Sequence, residues 1–549
     1  MNRSKLFLIL AILALCFSCT SYHITDVYSD LTYRVVPATL NLLQKEFPSK
    51  DYGTVVSLDC AKGESESAQI VFLQLDKLAG KTNKEYKIVQ NPLVSENGEI
   101  LTETEIGVVG YVHVKKPSIA GFNEINYYPD PILPQNNFTV DYKKSQSVFY
   151  TVYIPREAKE GLYTSTLDLY EGEDFAYSIP VTVKVYKTTL PVTPYLTTWF
   201  HEQNHFPKYY DNFSKEEKDA FYENLVRRFR INAAYQLDWT DVFYKDENGK
   251  WNANWQSIDN QVEYKLSYGV TAFAIPLRVG YDIFNSEKDD YRKEIEEKLV
   301  IINQHLVEKN WTEYFVWYNF DEPKNNQIDS FKQFVNWAKE FGPDIYSFCT
   351  LGWSTPRKFR ELADSVDIWC PHIDQYETKF FPKRQNMGDK IWIYTCIQTF
   401  WTHYPDTWKL DTYGTCHRSL GWWLYKYNID GYLYWSLTYW KNNPWENIET
   451  YPLGNGDGCL VYPALDGESW PYYSMRLHTQ RDGFEDFDFL KMLEEASQKE
   501  GIYTQEELAE IQEILSVDDV IPWKGAYTKD DMLMINLHKR ILELLDKSI

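Results

Sequence analysis

Apolar and polar residues alternate with a period of two through the first third of the chain. Runs with this pattern include AQIVFLQL, IGVVGYVHV, SVFYTVYIP, LYTSTLDLY and YSIPVTVKVY. The alternation is typical of strands that bury one face, and clusters of Gly, Pro, Asn and Asp separate the runs. We therefore predict a β-sandwich domain over residues 24–190, which ends near the proline-containing segment TTLPVTPYL.

A different pattern follows residue 190, where apolar strand-like runs alternate with longer runs of helical periodicity. One helical run, SKEEKDAFYENLVRRF, opens with Ser214 and Glu217 at the spacing of a capping box. Eight strand-like runs over about 245 residues fit a (β/α)8 TIM barrel, which typically spans ~250 residues. We predict an α/β fold with a (β/α)8 barrel catalytic domain over 191–480 and a small C-terminal helical segment over 481–549. The eight runs are YLTTWFH, FRINAAYQL, VTAFAIPLR, EYFVWYNF, DIYSFCTL, SVDIWCPH, KIWIYTCI and GYLYWSLTYW.

The first residues, MNRSKLFLILAILALCFSC, combine a basic start with a short apolar stretch. Such a segment is typical of an export signal and is too short, with the wrong flanking residues, for a spanning helix. Ser18-Cys19 resembles a bacterial lipobox, although Cys16 and Phe17 are uncommon at their positions. We expect a lipoprotein signal segment over 1–19, lipidation of Cys19, and a location in the bacterial cell envelope, on the periplasmic or surface side of the outer membrane. A plain secretory signal is the alternative.

Composition and charge narrow the classes of partner. The formal net charge of −23 argues against nucleic acid, because phosphate binding needs a basic surface. The aromatic content of 17% suits sugar binding, since rings stack on sugar CH faces, but it equally suits a large β-rich core. The six cysteines outside the signal segment form no CxxC pair, which argues against a zinc site and leaves a disulfide open. We predict neither a metal nor a cofactor, and the oligomeric state stays open.

Two adjacent carboxylates carry the strongest chemical hint. Asp321 and Glu322 end the stretch EYFVWYNFDEP, in which an apolar and aromatic strand precedes the pair and Pro323 follows it. Carboxylates just past the C-terminal end of a parallel strand lie where barrel enzymes place their chemistry. Paired acids with different protonation states cleave glycosidic bonds. A solvated strand end that caps the next helix is the structural alternative.

The adjacency of the two acids also bears on mechanism. Most glycosidases place two carboxyl groups on opposite sides of the scissile bond, ~5–5.5 Å apart for retention and ~6.5–9.5 Å apart for inversion. Neighbours on one strand end are poorly placed for that arrangement. They suit a mechanism in which one acid protonates the leaving oxygen while the other orients a nucleophile carried by the substrate. The 2-acetamido group of an N-acetylhexosamine is such a nucleophile.

The sequence resembles glycoside hydrolase family 123, the β-N-acetylgalactosaminidases, and a wider group of uncharacterised barrel relatives. NFDEP at 319–323 resembles the catalytic motif of that family. The run GWWLYKYNIDGYLYWSLTYW resembles the last barrel strand of the group, and GNGDGCLVYP with SMRLHTQRDGFEDFDFL resembles the segment after it. YYPDPILP and YIPREAKEGLYTSTLDLY resemble the N-terminal sandwich of the family.

The resemblance implies a retaining exo-glycosidase that removes terminal β-linked N-acetylgalactosamine through an oxazoline intermediate. It implies that Glu322 is the general acid and base and that Asp321 polarises the acetamido group. Strand ends supply further candidates for substrate binding, although the aromatic residues among them fit a barrel core equally well and His372 fits an ordinary buried histidine. These candidates are Tyr394, Trp435, Trp440, His372, Asn319, Trp353, His201 and Asp374.

Two alternatives remain open from the sequence. A glycosidase of the same fold could act on another sugar, such as β-linked GlcNAc or an unmodified hexose. The chain could instead be a surface glycan-binding lipoprotein without activity, although a binding protein has no need to keep both acids.

Overall fold

The computed structural model describes residues 31–75, 84–201, 214–234, 236–352, 356–397, 404–440, 442–465 and 470–549. The predicted signal segment 1–19, its lipidation site Cys19 and the candidate Trp353 lie outside the described residues. In the described part of the chain, none of the helices combines the length and hydrophobicity that a membrane span requires.

Two sheets occupy the first third of the described chain. The first has the strand order β1-β3-β10-β7-β8 and is antiparallel throughout, and the second runs β2-β12-β11-β4-β9, with β5 and β6 attached through β11. A shared core of residues from both sheets, including Ile70, Val148, Leu167 and Val183, lies between them. The strands are β1 (Leu31–Pro37), β2 (Val56–Lys62), β3 (Ser65–Gln74), β4 (Glu85–Gln90), β5 (Leu93–Ser95), β6 (Ile100–Leu101), β7 (Thr104–Val114), β8 (Asn126–Leu133), β9 (Asn137–Thr139), β10 (Ser145–Tyr153), β11 (Gly161–Glu171) and β12 (Asp174–Thr189).

Short parallel strands organise the middle of the chain. Five of them form one sheet in the order β13-β21-β20-β19-β18. Strands β16 and β17 form a separate parallel pair, which a single bridge between Trp317 and Ser347 joins to β18. The strands are β13 (Thr197–Phe200), β14 (Phe243–Lys245), β15 (Trp251–Ala253), β16 (Phe273–Ala274), β17 (Phe315–Val316), β18 (Phe348–Leu351), β19 (Ile368–Pro371), β20 (Lys390–Thr395), β21 (Gly431–Tyr434), β22 (Glu449–Tyr451), β23 (Gly454–Asn455), β24 (Val461–Tyr462) and β25 (Tyr472–Tyr473).

In the predicted second barrel strand, FRINAAYQL, the described residues form one bridge, between Ala233 and Phe200. Arg230 ends the preceding helix in a left-handed conformation, with φ of 58°, so that few residues remain for an extended run. Within the described residues no strand ladder joins this segment to β16, although the Asn232 side chain donates to Thr271 over 2.8 Å. The mixed α/β class is confirmed, and the closed eight-stranded barrel stays a prediction.

Helices pack around these strands and fill the C-terminal end. The predicted capping box is confirmed, because the Ser214 hydroxyl accepts from the amide of Glu217 and the Glu217 carboxylate accepts from the amide of Ser214. The helices are α1 (Lys215–Phe229), α2 (Gln256–Ser267), α3 (Asp289–Glu308), α4 (Ile328–Phe341), α5 (Pro356–Leu362), α6 (Phe381–Gln385), α7 (Thr415–Lys426), α8 (Met475–Ser497), α9 (Gln505–Ser516) and α10 (Asp531–Asp546). Short 3-10 helices span Tyr281–Phe284, Ser286–Lys288, Thr312–Tyr314, Asn325–Gln327 and Ile373–Gln375.

Helix α8 joins the sandwich to the parallel strands. It begins at Met475, so the predicted boundary at residue 481 falls inside a helix and does not separate two units. Met475 packs with Phe149 and Val109 of the first sheet, while Phe484 packs with Phe200 of β13. Nearly every residue in the first four turns of α8 is buried, because the helix has neighbours on all sides.

Candidate active site

Asp321 and Glu322 lie just after β17, at the carboxyl end of the parallel strands. Asp321 is exposed and Glu322 is half-buried, so both side chains are accessible to a ligand. Glu322 has a φ of +43°, in the left-handed region that non-glycine residues seldom adopt. Strained backbone of this kind is concentrated at functional sites, where the surrounding structure holds it in place.

Thr350, at the end of β18, binds both members of the pair. Its hydroxyl donates to Asp321 Oδ1 over 3.0 Å and accepts from the backbone amide of Glu322 over 2.9 Å. The Tyr318 hydroxyl also donates to Asp321 Oδ1, over 2.8 Å. Among the described residues no hydrogen bond uses Asp321 Oδ2, which leaves that oxygen available to a substrate.

The Glu322 carboxylate lies against β20 and the end of β18. The Tyr394 hydroxyl donates to Glu322 Oε1. Gly352 packs so closely against this carboxylate that a Cβ at that position would overlap it. Residues at the ends of β18 and β20 therefore contact the acid that follows β17.

Both tyrosines stay protonated donors at neutral pH. Burial raises the pKa of Tyr394 well above its usual value, and the nearby Cys396 and Glu322 raise it further. Burial likewise raises the pKa of Tyr318, with the charge of Asp321 adding to the effect. A neutral hydroxyl beside each carboxylate donates one hydrogen bond without adding charge to the site.

His372 and Asp374 form a pair behind Tyr394. His372 is fully buried, its Nδ1 lies 2.7 Å from Asp374 Oδ1, and its Nε2 accepts from the amide of Cys396 over 3.2 Å. Burial works to raise the pKa of Asp374, but the hydrogen bond and charge of His372 outweigh it and lower the pKa. The His372 ring packs edge-on against Tyr394 with ring centres 5.1 Å apart. These two predicted binding residues therefore hold the strand that carries Tyr394.

His201 and Asn319 lie on the other side of the carboxylates. The His201 ring is 5.6 Å from that of Tyr318, and burial together with the charge of Arg278 lowers its pKa to about 3, so it is neutral. Asn319 Oδ1 accepts from the amide of Val279 over 3.1 Å, and its buried Nδ2 finds no hydrogen-bond partner among the described residues.

The two tryptophans predicted to bind substrate differ in their environments. Trp435 is half-buried at the end of β21, and its indole donates to Asp457 Oδ1 over 2.8 Å. Trp440 is 1% exposed, belongs to the main core and donates to the carbonyl of Val461, so it does not line the pocket as predicted. The chain turns back after β21 and β24 covers this part of the segment, which periodicity alone does not reveal.

Sequence reasoning missed Tyr318, Thr350 and Asp457. Tyr318 precedes Asp321 by three residues within the aromatic strand, and Thr350 ends the next strand-like run, so a search of neighbouring strand ends could have found both. Asp457 lies in the glycine-rich GNGDG segment after the last strand. There it accepts hydrogen bonds from Trp435, Tyr434 and the amide of Ile397.

Two buried groups bring potential metal ligands together among the described residues, namely Asp406 with Cys416 and His417, and Glu64 with Glu66 and His538. In the first group, Lys409 Nζ lies 3.0 Å from Asp406. In the second group, His538 itself pairs with the carboxylates. Protein cations thus already balance the acids in both groups.

Residues 235–493 match the family model of the glycoside hydrolase 123 catalytic domain. A family 123 glycoside hydrolase from Clostridium perfringens, studied for glycolipid glycan hydrolysis, superposes with a TM-score of 0.66 at 16% identity, over 94% of this chain and 98% of that one. A family 39 glycoside hydrolase from Bacteroides cellulosilyticus WH2 has a TM-score of 0.32 at 11% identity, over 73% of this chain and 82% of that one. No curated protein sequence matches the chain significantly.

The family match covers the segment that carries the site. Asp321, Glu322, Thr350 and Tyr394 all lie within the matched residues, and the similarity to the clostridial structure extends to the sandwich. The resemblance inferred from NFDEP is thereby confirmed. Residues 235–493 therefore form a catalytic domain of glycoside hydrolase family 123, and this part of the chain is a glycoside hydrolase.

Proposed function

We propose that this glycoside hydrolase removes terminal β-linked N-acetylgalactosamine with retention, using the 2-acetamido group of the substrate as the nucleophile. The observation that carries the proposal is the placement of both acids by one hydroxyl, that of Thr350. Thr350 fixes the Asp321 carboxylate and the backbone of Glu322, so the two acids can act on the same side of a sugar. That geometry suits a division of labour between a leaving oxygen and an acetamido group.

The steps assign one role to each acid. Glu322 protonates the glycosidic oxygen while the acetamido oxygen attacks the anomeric carbon, which breaks the bond to the leaving group and forms an oxazolinium ion. Asp321 accepts a hydrogen bond from the acetamido N–H and stabilises the positive charge that develops on this nitrogen. Glu322 then takes a proton from the water that opens the ring, so that the product keeps its configuration.

Tyr394 and Tyr318 support this division. Tyr394 donates to Glu322, and Tyr318 fixes Asp321 through the same oxygen that Thr350 binds. Another strand-end acid, Asp374, is bound to His372 and is therefore poorly placed to act as a carboxylate nucleophile. This arrangement supports the substrate as the source of the nucleophile.

The experiment uses p-nitrophenyl glycosides of GalNAc, GlcNAc and unmodified hexoses side by side. We expect the highest kcat/KM with β-GalNAc. With GalNAc analogues, turnover should fall steadily from N-acetyl to mono-, di- and trifluoroacetyl, because fluorine weakens the attacking oxygen. A flat series would overturn substrate assistance, and a preference for GlcNAc or a hexose would overturn the assigned sugar.

We also propose that the mature chain is anchored in the bacterial cell envelope through a lipid on Cys19. The support is the apolar export segment that ends at Ser18-Cys19. Metabolic labelling with a fatty acid should mark the wild-type protein and leave Cys19→Ala unlabelled. Equal labelling of the two proteins would place the lipid elsewhere, and a secreted unlabelled wild type would indicate a plain secretory signal.

A further inference from the structure

Three aromatic side chains form a group beyond the last parallel strand, here called the aromatic platform (Trp435, Tyr439 and Tyr451). The Tyr439 and Tyr451 rings are parallel, with an interplanar angle of 7° and ring centres 5.7 Å apart. The Trp435 ring lies 4.9 Å from Tyr439 and 5.8 Å from Tyr451. Tyr451 is 40% exposed, so the platform reaches the surface.

The platform adjoins the strand end that carries Tyr394. Asp457 accepts from Trp435 through Oδ1 and from the amide of Ile397 through Oδ2, over 2.8 and 3.0 Å. Ile397 follows Tyr394 by only three residues, and the side chain of Ile397 packs directly against Gly454 of the hairpin that carries Tyr451. The aromatic rings and the Glu322 partner Tyr394 therefore border the same short stretch of backbone.

The sandwich holds the hairpin of β22 and β23 in place. The amide of Asn455 and its side-chain amide both donate to the Ser118 hydroxyl, over 3.1 and 2.9 Å. The amide of Ile119 donates to the carbonyl of Leu453 over 3.0 Å. A platform on a braced hairpin keeps its rings ordered before a ligand arrives, which lowers the entropic cost of binding.

We infer that the aromatic platform is a subsite for the sugar on the leaving-group side of the scissile bond. The inference rests on the proposed exo-action: the terminal sugar fills the site at Asp321 and Glu322, so the rest of the glycan can extend in one direction only. The platform borders that site, and its exposed member Tyr451 presents an aromatic ring with a hydroxyl group at its edge. Such a ring binds the CH surface and the hydroxyls of a sugar together.

The chemistry of the tyrosine pair fits a neutral sugar. Burial, followed by the hydrogen bond with Tyr439, raises the pKa of Tyr451 to about 12, so the hydroxyl keeps its proton at neutral pH. An aromatic subsite on the leaving-group side favours a glycan in which β-linked GalNAc is attached to a further sugar over one attached directly to a non-sugar group.

The experiment compares a β-GalNAc–hexose disaccharide with β-GalNAc fluoride, whose leaving group is a single atom. For Tyr451→Ala, kcat/KM should fall about 10-fold more on the disaccharide than on the fluoride, the order expected for a lost ring contact. Tyr451→Phe, which keeps the ring, should retain most of the disaccharide preference. Tyr264→Ala, which removes a 56% exposed tyrosine from helix α2, is the control for surface truncation.

If Tyr451→Ala lost equal activity on the two substrates, the subsite would be overturned. The proposed function would still stand in that case, as long as the wild type cleaves both substrates. Binding is measured separately by titrating the disaccharide and GalNAc alone into Glu322→Gln with and without Tyr451→Ala. Weaker binding of the disaccharide only, by about 10-fold, supports the subsite. Equal binding in the two proteins overturns it, provided that the disaccharide carries the terminal sugar that the wild type cleaves.

Discussion

At the residue scale, the site depends on how a single carboxylate is aimed. Glu322 adopts a left-handed φ of +43°; its amide donates to Thr350, and its carboxylate accepts from Tyr394 and lies against Gly352. Three contacts from two other strands hold a backbone conformation that the sequence NFDEP would not favour alone. The strain is thus supported by tertiary structure and serves the position of one acid.

Glu322→Gln should reduce hydrolysis of a natural glycan by ~10²–10⁴-fold, the usual contribution of general acid catalysis. The loss should be smaller on p-nitrophenyl glycosides, because a good leaving group needs little protonation. Steady-state kinetics on both substrates measure the gap. The matched control is Glu313→Gln, the same change on a side chain that is 70% exposed at the start of the same segment. Wild-type activity of Glu322→Gln on the glycan would contradict the assignment.

Asp321→Asn should keep the fold and lower kcat by ~10²–10³-fold, because the amide stabilises the oxazolinium charge less than a carboxylate does. Asp364→Asn, on an exposed position, controls for the loss of a surface charge. The assay includes azide and determines the anomeric configuration of the product. If azide restored turnover and gave an inverted glycosyl azide, Asp321 would be a nucleophile and the acetamido group would not.

At the element scale, the site depends on a close approach between the segments that follow β17 and β18. Gly352 follows β18, and a Cβ at this position would overlap the Glu322 carboxylate that follows β17. The clash involves the end of a side chain and not buried backbone, so the fold can accommodate it by moving the carboxylate. The site requires glycine here because two strand ends approach closely. Backbone conformation does not require it, since the φ of Gly352 is not in the left-handed region.

Gly352→Ala should therefore lower kcat by about 10²-fold, the scale of loss expected from a misplaced catalytic group. The midpoint of thermal unfolding should change by only a few degrees. Gly388→Ala is the control for backbone strain. A Cβ at Gly388 would have open space around it, but the positive φ of 101° is strained for alanine, so this variant should lose stability and keep its activity. Full activity of Gly352→Ala would show that catalysis does not need the Glu322 carboxylate in its place against residue 352.

At the scale of the whole molecule, a buried ionic network joins the sandwich to the C-terminal helices. His538 of α10 lies 3.2 Å from Glu64 of the sandwich and 3.2 Å from Asp486 of α8. Arg418 of α7 binds Asp486 over 2.7 Å and Glu66 over 3.2 Å. Buried charges of this kind cost free energy to desolvate, so removing one partner is far more damaging than the net value of the network suggests.

The network makes stability depend on pH. Burial alone would lower the pKa of His538, but Glu64, Asp486 and Glu66 outweigh it and raise the pKa to about 10. A pKa raised above the ordinary value of ~6.5 contributes stability that is fully present below pH ~6.5 and is lost as the pH rises through about 10.

His538→Gln should therefore lower the free energy of unfolding by about 3–5 kcal/mol at pH 6.5 and by much less at pH 10. Urea denaturation of wild type and variant at pH 6.5, 8 and 10 measures the difference. Activity at saturating substrate checks that the folded fraction keeps its site. A loss of equal size at all three pH values would indicate that packing, and not the charge of His538, stabilises the junction.

Local sequence was enough to find the carboxylates and most of the elements. Alternation with a period of two marked strands such as β11 and β12, and NFDEP marked the pair that follows β17. Capping chemistry located the start of α1 at Ser214. Each of these features is set by residues close together in the sequence, so the spacing of capping residues and of apolar residues is enough to predict it.

Only the tertiary structure decided which strand ends meet. Thr350 and Tyr394 lie 28 and 72 residues from Glu322 along the chain, and no local pattern connects them. Trp435 and Trp440 look alike in the predicted last strand, yet Trp435 belongs to the platform while Trp440 is buried and donates to the carbonyl of Val461 in β24. The sequence by itself determined the chemistry available at the end of each strand, and long-range packing determined which of those groups act together.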